Sequence, residues 1–273
     1  MKDALIVSLL SVLPRNRGAS WMGAAARTRT SAWLTGLFVR AYGVDLSEAT
    51  GTLRDYATLE ALFTRRLREG ARPVVSAAGA IVSPVDGRVA LVATSVDGAV
   101  EIAPGRLLRV DELLGEPVDG ERDVVVLYLS PTDYHRVHVP REGLATRWSY
   151  VPGTLWPVFP AAVRKVDGLF ARNERTIVHV DTDVGPLAVV LVGAFGVGRI
   201  EVVVTDLLTN TAARAPRAEP LDPPHRLERG ADLGAFHLGS TVILVAPPGV
   251  WTWSCRQGEP VRMGAAIGAR TNG

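Results

Sequence analysis

From Val74 onward the chain consists of short runs rich in β-branched and aliphatic residues, each cut off by Gly, Pro or Asp. The runs 88–96, 123–129, 176–180, 187–192, 200–205 and 241–246 have the length and punctuation of strands. They do not alternate with long helical patterns, so a doubly wound parallel fold is disfavoured and an antiparallel, barrel- or sandwich-like β body is expected. With 273 residues, 47% hydrophobic and 21% charged, the chain can bury a sizeable core and lies outside the disordered class, even with 27 Gly and 18 Pro.

The N-terminal stretch has another texture. Its first 40 residues carry Lys2, Arg15, Arg17, Arg27, Arg29 and Arg40 against Asp3 alone, a net +5 that leaves −3 for the remainder. Leu5, Ile6, Leu9, Leu10, Leu13, Trp21, Trp33, Leu34, Leu37 and Phe38 are interleaved with these charges, many at helical intervals. Amphipathic helices of this kind suit the headgroup region of an anionic bilayer, although packing on the body of the protein would produce the same periodicity. The mean hydropathy is +0.17, yet no run approaches the roughly 20 apolar residues of a spanning helix. Ser8, Ser11, Pro14, Arg15 and Arg17 disfavour a cleaved leader.

The overall expectation is an α+β chain, with an N-terminal helical membrane-associating region at 1–72 and a β-rich catalytic domain at 73–273. Within the first, 52–69 places Leu53, Tyr56, Leu59, Leu62, Phe63 and Leu67 on one stripe, closed by Gly70 and Pro73, and predicts a helix. Residues 211–228, rich in Pro, Arg and Ala, read as a surface loop. Cys255 is the single cysteine, and no Cys/His cluster has zinc spacing, so no disulfide or metal is expected and a reducing setting fits. No nucleic-acid motif is present.

Four segments carry chemistry. Ser83-Pro-Val-Asp-Gly-Arg88 offers an acid, Asp86, at a tight turn. Tyr128-Leu-Ser-Pro-Thr-Asp-Tyr-His-Arg-Val-His138 offers His135 and His138 after an apolar run. Leu169-Phe-Ala-Arg-Asn-Glu-Arg175 is dense in charge. Phe236-His-Leu-Gly-Ser-Thr-Val-Ile243 sets Ser240 directly after a glycine. Each has a plain alternative: Asp-Gly is a common turn pair, and a histidine beside a strand usually serves packing. Together they supply an acid, a base and a nucleophile, but no Gly-x-Ser-x-Gly elbow is present. Spacing does not say which histidine is the base.

Taken together, these segments resemble the phosphatidylserine decarboxylase proenzymes, as do Phe63-Thr-Arg-Arg66 with Arg72-Pro73, Val192-Gly-Ala194 and Leu238-Gly-Ser-Thr241. The resemblance implies self-cleavage between Gly239 and Ser240 into a β chain, 1–239, and an α chain, 240–273. It assigns Asp86, His138 and Ser240 to a cleavage triad with His138 as the base. Ser240 becomes a covalent pyruvoyl cofactor, which forms a Schiff base with phosphatidylserine and yields phosphatidylethanolamine and CO2. His135 is the candidate for substrate positioning or proton donation, supported by Tyr134 and Asp133; Thr241 helps hold the turn.

The expected partners are phosphatidylserine and an anionic membrane surface, in a homodimer of αβ units on the cytoplasmic side of the cell membrane. The chain departs from the family pattern at Phe159, Arg199 and Asp232, and none of these is expected to touch the triad. A pyruvoyl enzyme for a soluble amino acid, a serine hydrolase and a noncatalytic membrane-binding module are the rival readings.

Overall fold

The strands with the most continuous apolar runs lie in the middle of one sheet. In this computed structural model, which describes residues 32–195, 199–210, 215–237 and 240–271, an eight-stranded antiparallel sheet runs in the order β11 (Arg217–Leu227), β7 (Gly143–Val151), β8 (Arg175–Thr182), β9 (Gly185–Gly193), β13 (Ser240–Ala246), β5 (Asp123–Leu129), β2 (Gly87–Thr94) and β15 (Pro260–Val261). A three-stranded sheet holds β1 (Ala80–Val82), β16 (Ala266–Arg270) and β14 (Trp251–Trp253), and another holds β10 (Ile200–Val202), β12 (Asp232–Phe236) and β6 (Arg136–His138). The strands β3 (Ala99–Ala103) and β4 (Arg106–Arg109) form a hairpin. The helices are α1 (Ala32–Tyr42), α2 (Leu59–Phe63), α3 (Val110–Leu114), α4 (Pro160–Val163) and α5 (Leu169–Arg172).

The large sheet is buried on both faces, which explains why its inner strands read as unbroken apolar runs instead of alternating ones. Side chains of a strand point alternately to opposite faces. Val125, Leu127, Val189, Leu191, Val242 and Leu244 thus enter one core shared with the two small sheets. Val124, Val126, Val190, Val192, Ile243 and Val245 enter a second core under α3, α4, α5 and the β3–β4 hairpin. One side is therefore sheet on sheet and the other is helix on sheet. The expected α+β class and antiparallel pairing are present. The barrel is not: β11 and β15 stand at opposite ends of the sheet without pairing to each other.

Two local expectations are overturned. The 52–69 segment is not one helix but a 3₁₀ turn, Leu53–Asp55, followed by α2. Thr58 caps α2 by accepting the Ala61 N–H at 3.1 Å. Beyond Thr64 the backbone leaves the helix, because Thr50 N–H donates to Arg66 O at 3.0 Å and Arg68 N–H to Glu48 O at 2.8 Å. The stripe still does its work, since Leu62 and Phe63 are fully buried. The loop expected at 211–228 contains the edge strand β11. Pro is tolerated there because one side of an edge strand has no partner to bond, and the register breaks between Pro220 and His225. Of the predicted N-terminal amphipathic helices, everything before Ala32 lies outside the described residues.

The segment dense in charge, 169–175, is a structural hub. Asn173 is fully buried; its amide donates to Trp156 O and Gly193 O, and its oxygen accepts the Trp156 N–H, all at 2.8 Å. Arg175, also buried, donates to the carbonyls of Glu112, Leu113, Ala171 and Asn173 and so terminates α3 and α5. Asn173 thereby fixes Gly193, the residue opposite Ser240.

Gly87 has no positive φ; its requirement is close approach, because a Cβ there would collide with the Tyr128 carbonyl oxygen of the neighbouring strand. Gly87→Ala is expected to lower unfolding stability by roughly 1–3 kcal/mol, the usual cost of overpacking, with a reduced midpoint in urea as the check.

Candidate active site

Ser240 opens β13, paired on one side with Leu129 and on the other with Gly193. It is fully buried, and its Oγ has no hydrogen-bond partner among the described residues; the same holds for Thr241 Oγ1. Strand alternation points Ser240 to the face of Val242 and Leu244, towards the small sheets, and Thr241 to the other face. Leu238 and Gly239, the rest of the expected cleavage site, lie outside the described residues.

The direct partners of Asp86 are Arg72 and the Met263 backbone. Its carboxylate accepts a forked pair from Arg72, at 2.9 and 3.0 Å from Nε and 2.6 Å from Nη2, and the Met263 backbone N–H at 2.8 Å. Arg72 also reaches Glu48 at 2.8 Å. The bidentate geometry is the strong form of this contact; with its side chain only 8% exposed, Arg72 is held well above the ordinary arginine range by these carboxylates.

The two histidines share a tautomer and differ in what meets the other nitrogen. His138 Nδ1 lies 2.9 Å from Gly230 O, and His135 Nδ1 lies 2.8 Å from Asp133 O. A carbonyl can only accept, so both rings carry the proton on Nδ1 and a lone pair on Nε2. In His138 that lone pair accepts the Tyr134 hydroxyl at 3.1 Å. In His135 it is buried and has no partner among the described residues. Burial, aided by the nearby Arg65 charge, lowers His135 to about 4. Burial also lowers His138, while Asp232 and Asp86 pull the other way. Tyr134 is pushed up to about 12 by burial, so its hydroxyl keeps its proton at neutral pH.

Asp86 and His138 are brought together through backbone: His138 N–H donates to Pro84 O at 2.8 Å. No hydrogen bond among the described residues joins the Asp86 carboxylate to His138, or His138 to Ser240. Asp133 accepts the Ser130 N–H at 2.7 Å, and burial raises its carboxyl. His135 packs edge-on against Phe63 of α2, with ring centroids 5.0 Å apart.

Three groups were not singled out from the sequence as site residues. Arg72 is the first. Arg65 is the second: it is 6% exposed and donates to Leu62 O at 3.3 Å, Thr132 O at 3.1 Å and Asp133 O at 3.2 Å, without an ion pair to a described carboxylate. It shares the Asp133 carbonyl with His135 and so fixes that ring. The third is the cluster around His237, whose Nδ1 lies 2.7 Å from Glu60 Oε1 and Nε2 3.6 Å from Glu201. Arg199 is 3.7 Å from the same Glu60 oxygen. This cluster ties the residue two before Gly239 to α2. Asp232 pairs with Arg136 and lies opposite His138 in the β12–β6 register.

The sequence profile described as phosphatidylserine decarboxylase matches residues 59–269. The chain belongs to the phosphatidylserine decarboxylase family. It is 40% identical over 280 residues to a protein of Anaeromyxobacter sp. (strain K), covering 98% of this chain and 99% of that one. It is 39% identical over 282 residues to one of Myxococcus xanthus (strain DK1622), covering 99% and 100%, and 41% identical over 284 residues to one of Bordetella petrii, covering 97% of each. All three relatives are named phosphatidylserine decarboxylase proenzyme. The matched span begins at α2, so it includes Arg65 and Arg72 as well as the four predicted site residues.

The neutral histidines make stability depend on pH. His135 and His179 are each lowered to about 4 by burial, below the ordinary value of 6.5, so between these values the unfolded chain binds protons that the folded chain excludes. Stability is therefore full above about pH 6.5 and falls with pH down to about 4, by up to about 1.4 kcal/mol per unit for each histidine. Urea midpoints should fall across that window, and His179→Gln should flatten the slope.

Proposed function

We propose that the chain is a precursor that cuts itself between Gly239 and Ser240 and then decarboxylates phosphatidylserine to phosphatidylethanolamine. The carrying observation is the buried Ser240 Oγ at the head of a central strand, without a partner among the described residues, in a family whose members are named proenzymes. An unpaired buried hydroxyl costs about 1–3 kcal/mol, and a nucleophile awaiting a proton acceptor accounts for it.

In this reading His138 Nε2 takes the Ser240 hydroxyl proton once Tyr134 turns away, and Asp86, fixed by Arg72, stabilises the imidazolium by its charge. Ser240 Oγ attacks the Gly239 carbonyl carbon, the C–N bond breaks, and the amide becomes an ester. Removal of the Ser240 Cα proton then expels the ester oxygen with residues 1–239 as a carboxylate. Water replaces the nitrogen of the resulting dehydroalanine, ammonia leaves, and residues 240–273 begin with a pyruvoyl group.

The residues present suit that group: the Ser240 Oγ would leave with residues 1–239, the Cβ left behind would become a methyl on the face of the apolar first core, and the ketone oxygen would stand where the Ser240 nitrogen was. The group would supply a carbonyl for Schiff-base chemistry with a primary amine, acting as an acceptor for the electron pair freed with CO2. Around it, Gly193 and Leu129 hold the strand end, and Thr241 Oγ1 offers a free donor. His135 Nε2 positions the substrate or returns the proton that replaces CO2, with Asp133 and Tyr134 in support.

The region 1–72 is proposed to hold the enzyme peripherally on the cytoplasmic side of the cell membrane, and 73–273 to carry the chemistry as a homodimer of αβ units. Support comes from α1, where Trp33, Leu37 and Tyr42 are exposed; no described helix is long and apolar enough to cross a membrane. A permanent hydrolase triad is disfavoured by the Arg72 and Tyr134 contacts that occupy Asp86 and His138.

Intact mass of the purified protein tests the reading. Wild type should give two chains, the smaller being 240–273 with a blocked N-terminus, and Ser240→Ala should remain at 29.2 kDa. His138→Ala and Asp86→Asn should slow cleavage by about 100-fold or more. An active wild type that stays whole, or a Ser240→Ala protein that still cleaves, would overturn it.

A further inference from the structure

A second feature lies over β5 and β2 on the helix-covered face of the large sheet, the face opposite the Ser240 side chain. The β2 strand has a bulge between Val89 and Leu91 in its pairing with β5. Bulges bend a strand and break its even packing, and above this one is a cavity of about 280 Å³. Its walls include Ala90, Leu91, Val126, Val163 and Phe170, members or neighbours of the second core. Tyr128 closes the end nearest the site: it stands opposite Thr241 in the β13–β5 register. Adjacent strands are about 4.8 Å apart, so the cavity begins about one strand spacing from Thr241, next in the chain to the proposed reacting residue, and a chain lying in it would reach the reacting end of β13 around the end of the sheet.

Its charged lining is cationic. Arg88 and Arg164 contribute to the wall and are both exposed. Neither forms an ion pair with a described carboxylate, although Arg88 donates one guanidinium N–H to Gly258 O. Arg88 follows Asp86 by two residues, and its charge acts on Asp133 in the histidine segment. An apolar slot with two unpaired guanidinium groups, running away from the amine-reactive position, matches an amphiphile with one anionic group between its amine and its hydrocarbon. A soluble amino acid has no hydrocarbon to place there.

We propose that this cavity receives one acyl chain of the glycerophospholipid substrate, and that Arg88 and Arg164 bind its phosphodiester. The proposal rests on the decarboxylase reading and names the part of the substrate that this face reads. Gln257 and Gly258 also line the cavity, so after cleavage at Gly239 both proposed chains would contribute to it.

Phosphatidylserine with a diazirine midway along one acyl chain, presented in nonionic detergent micelles and photolysed on the wild-type protein, tests it directly. Label should concentrate on peptides spanning 88–104 and 156–170. Ala90→Phe, which fills the slot, should cut that label by about tenfold and raise KM for long-chain phosphatidylserine by about tenfold, while the 34-residue fragment still forms as in wild type. Ala103→Phe on another wall repeats the test if Ala90→Phe melts early. Label that maps elsewhere, including to 1–72, or that is unchanged in a folded variant would overturn the proposal. Intact mass of the same samples reports self-cleavage separately, so an unprocessed wild type would defeat the decarboxylase reading while leaving the map of the acyl chain to stand or fall alone.

Discussion

The central position of β13 is the constraint on which the rest depends. All seven of its residues are buried, and it pairs along its length with β5 on one side and β9 on the other. Such a strand has no solvent-facing edge, so its first residue can be reached only where the sheet ends, and the neighbouring strand ends must be held open and in register. Asn173 does this for Gly193, and Gly87 does it on the far side by letting β2 approach Tyr128. The strands after Ser240 are equally committed: β15 pairs with β2 and β16 with β1. A fragment 240–273 would thus stay threaded through two sheets, with Val242, Ile243, Leu244 and Val245 each contributing roughly 1.5–3 kcal/mol of burial. A backbone break before Ser240 frees a chain end for chemistry without releasing the fragment.

Two of the charges around the candidate site come from arginines outside the β body proper. Arg72 and Arg65 arrive from the segment after α2. One is paired with Asp86, and the other is satisfied by carbonyls. A buried ion pair such as Arg72 with Asp86 is weak evidence for stability, since the desolvation of both charges offsets their attraction; its clear effect here is to fix the carboxylate in one orientation. Arg65, buried without a carboxylate, acts on its surroundings instead: its positive charge opposes protonation of His135. The same short segment that carries α2 into the core through Leu62 and Phe63 therefore also contributes charge to the site.

What was legible in the sequence follows from how local the signals are. The run 123–129 matches β5 residue for residue, because a strand buried on both faces needs apolar side chains throughout and nothing else competes for that pattern. Asp86, His135, His138 and Ser240 stood out because their types and their company are uncommon. The helix over 52–69 failed because a cap at Thr58 and the pairing of 66–68 with 48–50 depend on partners that periodicity does not see. The edge strand β11 failed for the opposite reason: it is exposed, so its composition is that of a loop. Arg65 and Arg72 were present in quoted motifs, yet an arginine on a polar stretch reads as solvated surface until its burial is known. The one available signal was that an acid such as Asp86, once taken into the folded body, needs a cationic partner, and the stretch 65–72 is basic.

The two histidines show how much a single contact decides. They sit three residues apart, with the same tautomer, each anchored through Nδ1 to a backbone carbonyl, yet only His138 has its lone pair engaged. Because burial keeps the Tyr134 proton in place, that hydrogen bond persists through neutral pH, and breaking it costs on the order of 1 kcal/mol. A base that must first shed a tyrosine is poorly suited to rapid, repeated proton transfer but adequate for an event that happens once per molecule. A base with an open, desolvated lone pair, as in His135, is ready at every turnover. The difference in Nε2 partners thus separates the two residues in the way the proposed division between one-time processing and repeated catalysis would require, without any difference in their tautomer.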